Sequence, residues 1–198
     1  LVHQVYRALR YAISDGSIAP GARLTQEDIA QQLAVSRQPV LQALRLLKKD
    51  GFVQDAPGRG VQVTPLDADQ IAGLYQVRGA LDALAAKLAA QHRYRIDPHI
   101  IAAGRRAEQQ GQFQAMIDAD IAFHRAIYEG SQNPLIEPSA HQHWHHLRRV
   151  MGAVLQSSRQ RESLWDEHEA IAQAIAAGNA SLAAELIEAH ASEASRQL

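Results

Sequence analysis

Apolar residues recur at helical spacing through most of the chain. Val2, Val5, Tyr6, Leu9 and Ile13 predict a helix over residues 1–15, ended by Gly16. After Pro20-Gly21 two shorter helices are predicted. Thr25, with Asp28 three residues on, has the spacing of a capping box, and Ile29, Ala30 and Leu33 supply an apolar stripe. Ala34-Val35 make a turn. Ser36 then caps a second helix whose apolar side is Val40, Leu41, Leu44 and Leu47. Pro39 is tolerated there because the first turn of a helix has N–H groups without intrahelical partners. The period then shortens to that of strands. Phe52-Val53-Gln54 and Val61-Gln62-Val63 flank the turn Pro57-Gly58-Arg59-Gly60, which predicts a hairpin.

From Thr64-Pro65-Leu66 onward every segment has helical spacing, so a domain boundary is placed between residues 1–66 and 67–198. Asp67 caps a helix over 68–92 that carries Ile71, Leu74, Tyr75, Leu81, Leu84, Ala85 and Leu88. Asp97-Pro98 opens the next, to about Gln110, and residues 112–129 form a third, stopped by Gly130. A fourth starts at Asn133-Pro134 and runs through Val154 and Leu155, and two more cover 163–177 and 180–197. About six helices with short links predict a bundle. The fold class is therefore mainly α, an N-terminal winged helix-turn-helix followed by an all-helical antiparallel bundle.

A short helix, a turn and a capped second helix form the unit that places its second helix in the DNA major groove. Ser36, Arg37 and Gln38 at the start of that helix are of the types that reach phosphates or base edges. Thr25, Arg45 and the wing residues Arg59 and Gly60 complete the candidate DNA-contacting set. Charge agrees with this division: residues 1–66 carry a net +3 and the remainder −4, although the whole chain is only −1. No apolar run approaches a membrane span, and the first residues carry no signal-peptide pattern. Leu1 suggests a trimmed start. The absence of cysteine is compatible with a reducing cytoplasm, the compartment expected for a DNA-binding chain.

The helical half has polar residues where apolar ones are expected. Phe113, Met116, Ile117, Ile121, Ile127 and Tyr128 define the inward stripe of its third helix, and Asp120 and His124 lie within that stripe, four residues apart. His168 shares the face of Leu164, Ile171 and Ile175, and His190 that of Leu182, Leu186 and Ile187. A buried carboxylate is costly unless paired or bound to a cation. One Asp and three His turned into one core are a natural set for a divalent transition metal, zinc first, then nickel or manganese. An open coordination position on such an ion would suit a small anion. Residues 141–146, HQHWHH, are a weaker signal: His141 and His145 have metal-binding spacing, while a polar helix face explains the run as well. Of Arg148 and Arg149, one could face the cavity and pair with a carboxylate; Arg148 is the candidate.

The motifs resemble a known family. VSRQPVLQALRLLKKDGFV followed by GRGVQV is similar to the N-terminal domain of GntR-type transcription regulators, whose pattern runs VSRxPVREALxxLxxxGLV…GxGxxV. Leu41 and Gln42 stand where that pattern has Arg-Glu, so Arg45 could share the missing DNA contact. DADIAFHRAIYEGSQNPLI and SLWDEHEAIAQAIAAGNASLAAELIEAH resemble the FCD effector domain of the FadR subgroup. That resemblance implies Asp120, His124, His168 and His190 as ligands of a metal, and Arg78, in LYQVRGALDALAAKLAA, at a position that often faces the effector pocket. The expected protein is a homodimer on double-stranded operator DNA, controlled by a small carboxylate bound at the metal. Two other readings use the same four residues. In one the ion itself is the signal. The other is a metalloenzyme, which lacks a hydrolytic motif: neither Glu167 nor Glu169 shares the inward stripe of His168.

Overall fold

The computed structural model describes residues 1–58, 60–157 and 164–196. Arg59, proposed for the tip of the wing, therefore lies outside the described residues. The chain forms two compact units, Leu1–Asp67 and Ala68–Leu198.

The first unit contains α1 (Val2–Ser14), β1 (Arg23–Leu24), α2 (Gln26–Gln32), α3 (Arg37–Lys49), β2 (Val53–Asp55) and β3 (Val61–Val63). Val5, Leu9 and Ile13 of α1 pack with Ile29, Val40, Leu44 and Leu47, and Phe52, Val53 and Val63 close the core from the sheet. Thr25 caps α2 by accepting the Asp28 N–H at 3.1 Å, while its own hydroxyl donates to the Asp28 carboxylate at 2.7 Å. The box thus closes side chain to side chain. Ser36 occupies the cap position of α3 with extended backbone, but its hydroxyl makes no capping bond. The turn between α2 and α3 puts Ala34 at φ 51°. Leu33, expected on the apolar stripe, is more than a third exposed beside that turn.

The hairpin forms in the expected place, with Gln54 opposite Gln62, and it has a third strand: β1 pairs with the other side of β3. Two residues were too few to show a strand period in the sequence. Gly60 has φ +96°, and a Cβ there would lie 2.9 Å from the Leu24 carbonyl oxygen of β1. Its place in the wing is thus required by the backbone.

The second unit is α4 (Ala68–Gln91), α5 (Pro98–Gln109), α6 (Phe113–Gly130), α7 (Ile136–Ser157), α8 (Leu164–Ala177) and α9 (Ala180–Arg196). Helix α4 packs against α6, α7, α8 and α9, and α5 against α6 and α8. Small residues line the contact between α4 and α9, where a Cβ on Gly79 would be in ordinary van der Waals contact with that of Ala191, at 3.5 Å. On α5, Gly104 leaves the space that the Trp165 ring fills, since a Cβ would come within 2.1 Å of it. Several apolar residues expected inside are exposed, namely Leu84, Phe113 and Leu182. For α4 the reason is that its inward face is built from Ile71, Tyr75, Arg78, Asp82, Ala85, Ala86 and Ala89, so its leucines turn the other way.

Candidate functional site

A groove of about 710 Å³ runs between α2, α3 and the sheet and is lined by Thr25, Asp28, Arg37, Leu41, Arg45 and Gly60, among others. The structure thus gathers four of the proposed DNA-contacting residues. Arg37 opens α3 and is paired with Glu27 of α2 at 2.7 Å, with both side chains about two-thirds exposed. An exposed pair of this kind is worth little and exchanges readily. Ser36 and Gln38 are exposed beside it. Leu41, where the family pattern has Arg, is half-buried in the groove wall.

The second constellation is internal. Asp120 and His124 come from α6, His168 from α8 and His190 from α9; all four are buried, and one ligand atom from each lies within 4.8 Å of the others. The His168 Nε2 is 3.2 Å and the His124 Nε2 3.8 Å from Asp120 Oδ1. Both ring nitrogens of His124 and of His168, and Asp120 Oδ2, make no hydrogen bond. Buried polar atoms are rarely left so. Three imidazoles and a carboxylate converging with unsatisfied atoms have the composition and proximity that a divalent transition metal needs.

The surroundings fix the charge state. Burial pushes the three imidazoles down from the ordinary histidine value, with the Arg78 charge adding to this at His124, so that they favour the neutral, ligating form. Burial alone would raise the Asp120 carboxyl, but His124, His168 and Arg78 outweigh it and hold the group lowered and ionised. Asp82 behaves in the same way, between His124, Arg78 and the Tyr128 hydroxyl.

A pH dependence follows. With histidine pKa values depressed below 6.5 in the folded chain, the unfolded chain binds more protons as pH falls past 6.5, and stability is lost there. The depressed carboxyls act in the same direction below 3.8. The thermal midpoint of the helical unit in chelator is therefore expected to fall continuously from about pH 6.5 downward, as calorimetry between pH 4 and 8 would show.

Arg78 is buried beside this cluster. Its Nε donates to Asp82 at 3.2 Å, its Nη2 lies 3.5 Å from Asp120 Oδ2, and its guanidinium sits 4.7 Å over the Trp144 ring. The structure does not bring Arg148 to this group. Arg148 bonds Gln114 at 3.3 Å and also pairs with the exposed carboxylate of Asp118, on the side of α6 opposite Asp120. Arg149 is the buried member of the pair. In the HQHWHH run it is Trp144 that matters, reaching both Arg78 and, at 5.8 Å between ring centroids, His124. His141 and His145 meet edge-to-face, with ring centroids 5.8 Å apart, outside the four-residue cluster.

Asp82, Trp144 and Glu167 were not singled out as site residues in the sequence. Asp82 stands four residues after Arg78 on α4, which a reading of charged i,i+4 pairs could have found. Glu167 sits at the rim of the stripe, yet its carboxylate meets the His190 Nδ1 at 3.0 Å.

A winged helix-turn-helix unit whose groove presents Arg37 and Arg45, followed by a helical bundle with a buried ligand-type cluster, has the layout of a DNA-binding regulator. Comparison with known proteins gives the family. Residues 1–63 match bacterial regulatory proteins of the gntR family, and residues 73–193 match the FCD domain. The chain belongs to the GntR-type transcription regulators that carry an FCD domain. It is 29% identical over 210 residues to the HTH-type transcriptional regulator LutR of Bacillus subtilis (strain 168), spanning 90% of this chain and 92% of LutR. It is 35% identical over 85 residues to the HTH-type transcriptional regulator YdhC of the same organism, spanning 43% of this chain and 38% of YdhC, less than half of either. In three dimensions it is similar to a GntR transcriptional regulator from Rhodococcus sp. RHA1, with a TM-score of 0.83 and 28% identity over 99% of this chain and 96% of that one. Among the described residues no helix is long and apolar enough to cross a membrane.

Proposed function

We propose that this DNA-binding regulator reads a small organic acid through a divalent cation held in its bundle, and changes its operator affinity in response. The observation that carries this reading is the group of four buried ligand atoms within 4.8 Å of one another beside the Arg78 guanidinium. Asp120, His124, His168 and His190 would hold the ion, with zinc favoured and nickel or manganese accepting the same donors. When bound, the ion supplies positive charge and coordination positions for an anion. Arg78 is held on its Nε side by Asp82 and by stacking on Trp144, while its Nη2, which makes no hydrogen bond, is available to a carboxylate. Four buried groups that each favour a charged or ligating form select for a compact, polar anion over an apolar ligand.

On the DNA side, Arg37, Arg45 and Thr25 would engage phosphates or base edges from the groove, with Ser36 and Gln38 flanking them. A coupled response requires that the acid bind one arrangement of the regulator better than another. The test is fluorescence anisotropy of labelled operator with zinc-loaded and zinc-stripped protein against a panel of small mono- and dicarboxylates. At least one acid is expected to shift operator affinity severalfold in the loaded form only. Release by zinc alone, with no acid present, would instead make the ion the signal.

The regulator would act as a homodimer, one winged unit per half-site. Support comes from α4, where Leu74, Val77, Leu81, Leu84 and Leu88 follow one another at alternating three- and four-residue spacing. Val77 and Leu84 are 49% and 44% exposed, and the other three are half-buried, so an apolar seam faces outward. Leu84→Glu is expected to shift the chain from dimer to monomer in sedimentation velocity without loss of helix content.

A further inference from the structure

Metal-ligating imidazoles are held in place by what their second nitrogen bonds, because a partner there fixes both the tautomer and the ring orientation. One of the three histidines in the cluster has a hydrogen-bonded partner there and a second faces a carboxylate at ion-pair distance, and neither carboxylate is itself in the four-residue set. The His124 Nδ1 lies 3.2 Å from Asp82 Oδ2, which leaves its Nε2 toward Asp120. The His190 Nδ1 lies 3.0 Å from Glu167 Oε2. The His168 ring is held instead by stacking on Phe123 at 4.2 Å and edge-on by Trp165 at 4.8 Å.

Asp82 is in turn immobilised. It is fully buried on α4, its Oδ1 accepts from the Tyr128 hydroxyl of α6, and its Oδ2 accepts from Arg78 Nε. Tyr128 lies one helical turn beyond His124 on α6, so the hydroxyl that fixes Asp82 and the imidazole that Asp82 faces are carried by the same helix. These two bonds fix the carboxylate with its Oδ2 3.2 Å from the His124 Nδ1.

We propose that Asp82, locked by Tyr128, and Glu167 are positioning residues for the metal centre. They hold His124 and His190 as Nδ1–H tautomers with Nε2 turned inward. The inference rests on the metal reading above. Its consequence is a graded dependence of ion affinity on residues that do not touch the ion. Removing such partners weakens metal sites by about 10- to 100-fold.

The experiment measures Zn²⁺ affinity of the full chain by competition with a chromophoric chelator, together with the absorption spectrum of the Co²⁺ form. Glu167→Ala is expected to weaken Zn²⁺ binding by about 10- to 100-fold, and Glu167→Gln, which keeps an acceptor for Nδ1–H but loses the charge, to fall between it and the parent. Tyr128→Phe, which removes one oxygen and keeps the ring, is expected to lower affinity by about 10-fold and to shift the Co²⁺ bands. The thermal midpoint of the stripped Glu167 variants should match that of the stripped parent, which separates positioning from packing. Asp82 is also the nearer of two carboxylates beside buried Arg78, so Glu167→Ala and Tyr128→Phe are the variants that decide. Parent-like affinity and spectra in Glu167→Ala and Tyr128→Phe, with zinc bound by the parent, would overturn the positioning role alone. No zinc uptake by the parent would overturn the metal reading and this inference with it.

Discussion

The double variant His124→Ala/His190→Ala is expected to retain no stoichiometric ion and to melt about 5–10 °C below the metal-loaded parent. The size follows from linkage: an ion present at about 100 times its dissociation constant stabilises the folded state by about 2.7 kcal/mol, and a domain of this class shifts by about 2–4 °C per kcal/mol. Two replaced side chains in a fully packed interior add a cavity cost in the same direction. Differential scanning calorimetry with and without chelator separates the contributions. Chelator should lower the midpoint of the parent and leave that of the variant unchanged. A parent insensitive to chelator would count against a stabilising ion at Asp120, His124, His168 and His190.

The second large effect belongs to the winged unit. Arg37→Ala is expected to weaken specific operator binding by about 1–3 kcal/mol per half-site if the guanidinium reads a base edge. If it reads only a phosphate, affinity should instead fall uniformly across sequences, and the slope of log affinity against log salt should decrease by about one. Either outcome follows from its place at the first turn of α3, in the groove beside Thr25 and Arg45. The ion pair with Glu27 does not remove it from use, because a pair between two exposed side chains contributes only about 0–1 kcal/mol. Unchanged specific affinity in the titration would mean that α3 is not the recognition helix.

Much of this architecture was legible in the chain. The helix boundaries were marked by cap and stop residues, as at Thr25, Asp97-Pro98 and Gly16, and the winged unit by the change of period after Gly51. The four inward polar residues were visible because each interrupts an apolar stripe at helical spacing, and the structure brings them together. What stayed hidden was interaction across helices. Asp82 reads as an ordinary surface acid until α6 places Tyr128 and His124 against it. Glu167 lies off the stripe of its own helix and is drawn in by His190 from the next one. The leucines of α4 misled in the opposite way: periodicity finds an apolar face but does not say whether the face meets its own bundle or something else. Here the bundle is met by alanines, Arg78 and Asp82, and Leu84 is left outside. Arg148 and Arg149 are adjacent, so spacing alone could not decide between them; burial selects Arg149 and ties Arg148 to Asp118.

The claim on which the rest depends is that the bundle interior is a coordination site. X-ray absorption at the edge of the ion carried by the purified chain measures this directly. A first shell containing three imidazole nitrogens at about 2.0–2.1 Å, with the remaining positions oxygen, is the predicted result for zinc. A shell of oxygens alone, or no ion above background in the protein as purified and after incubation with zinc, would contradict it.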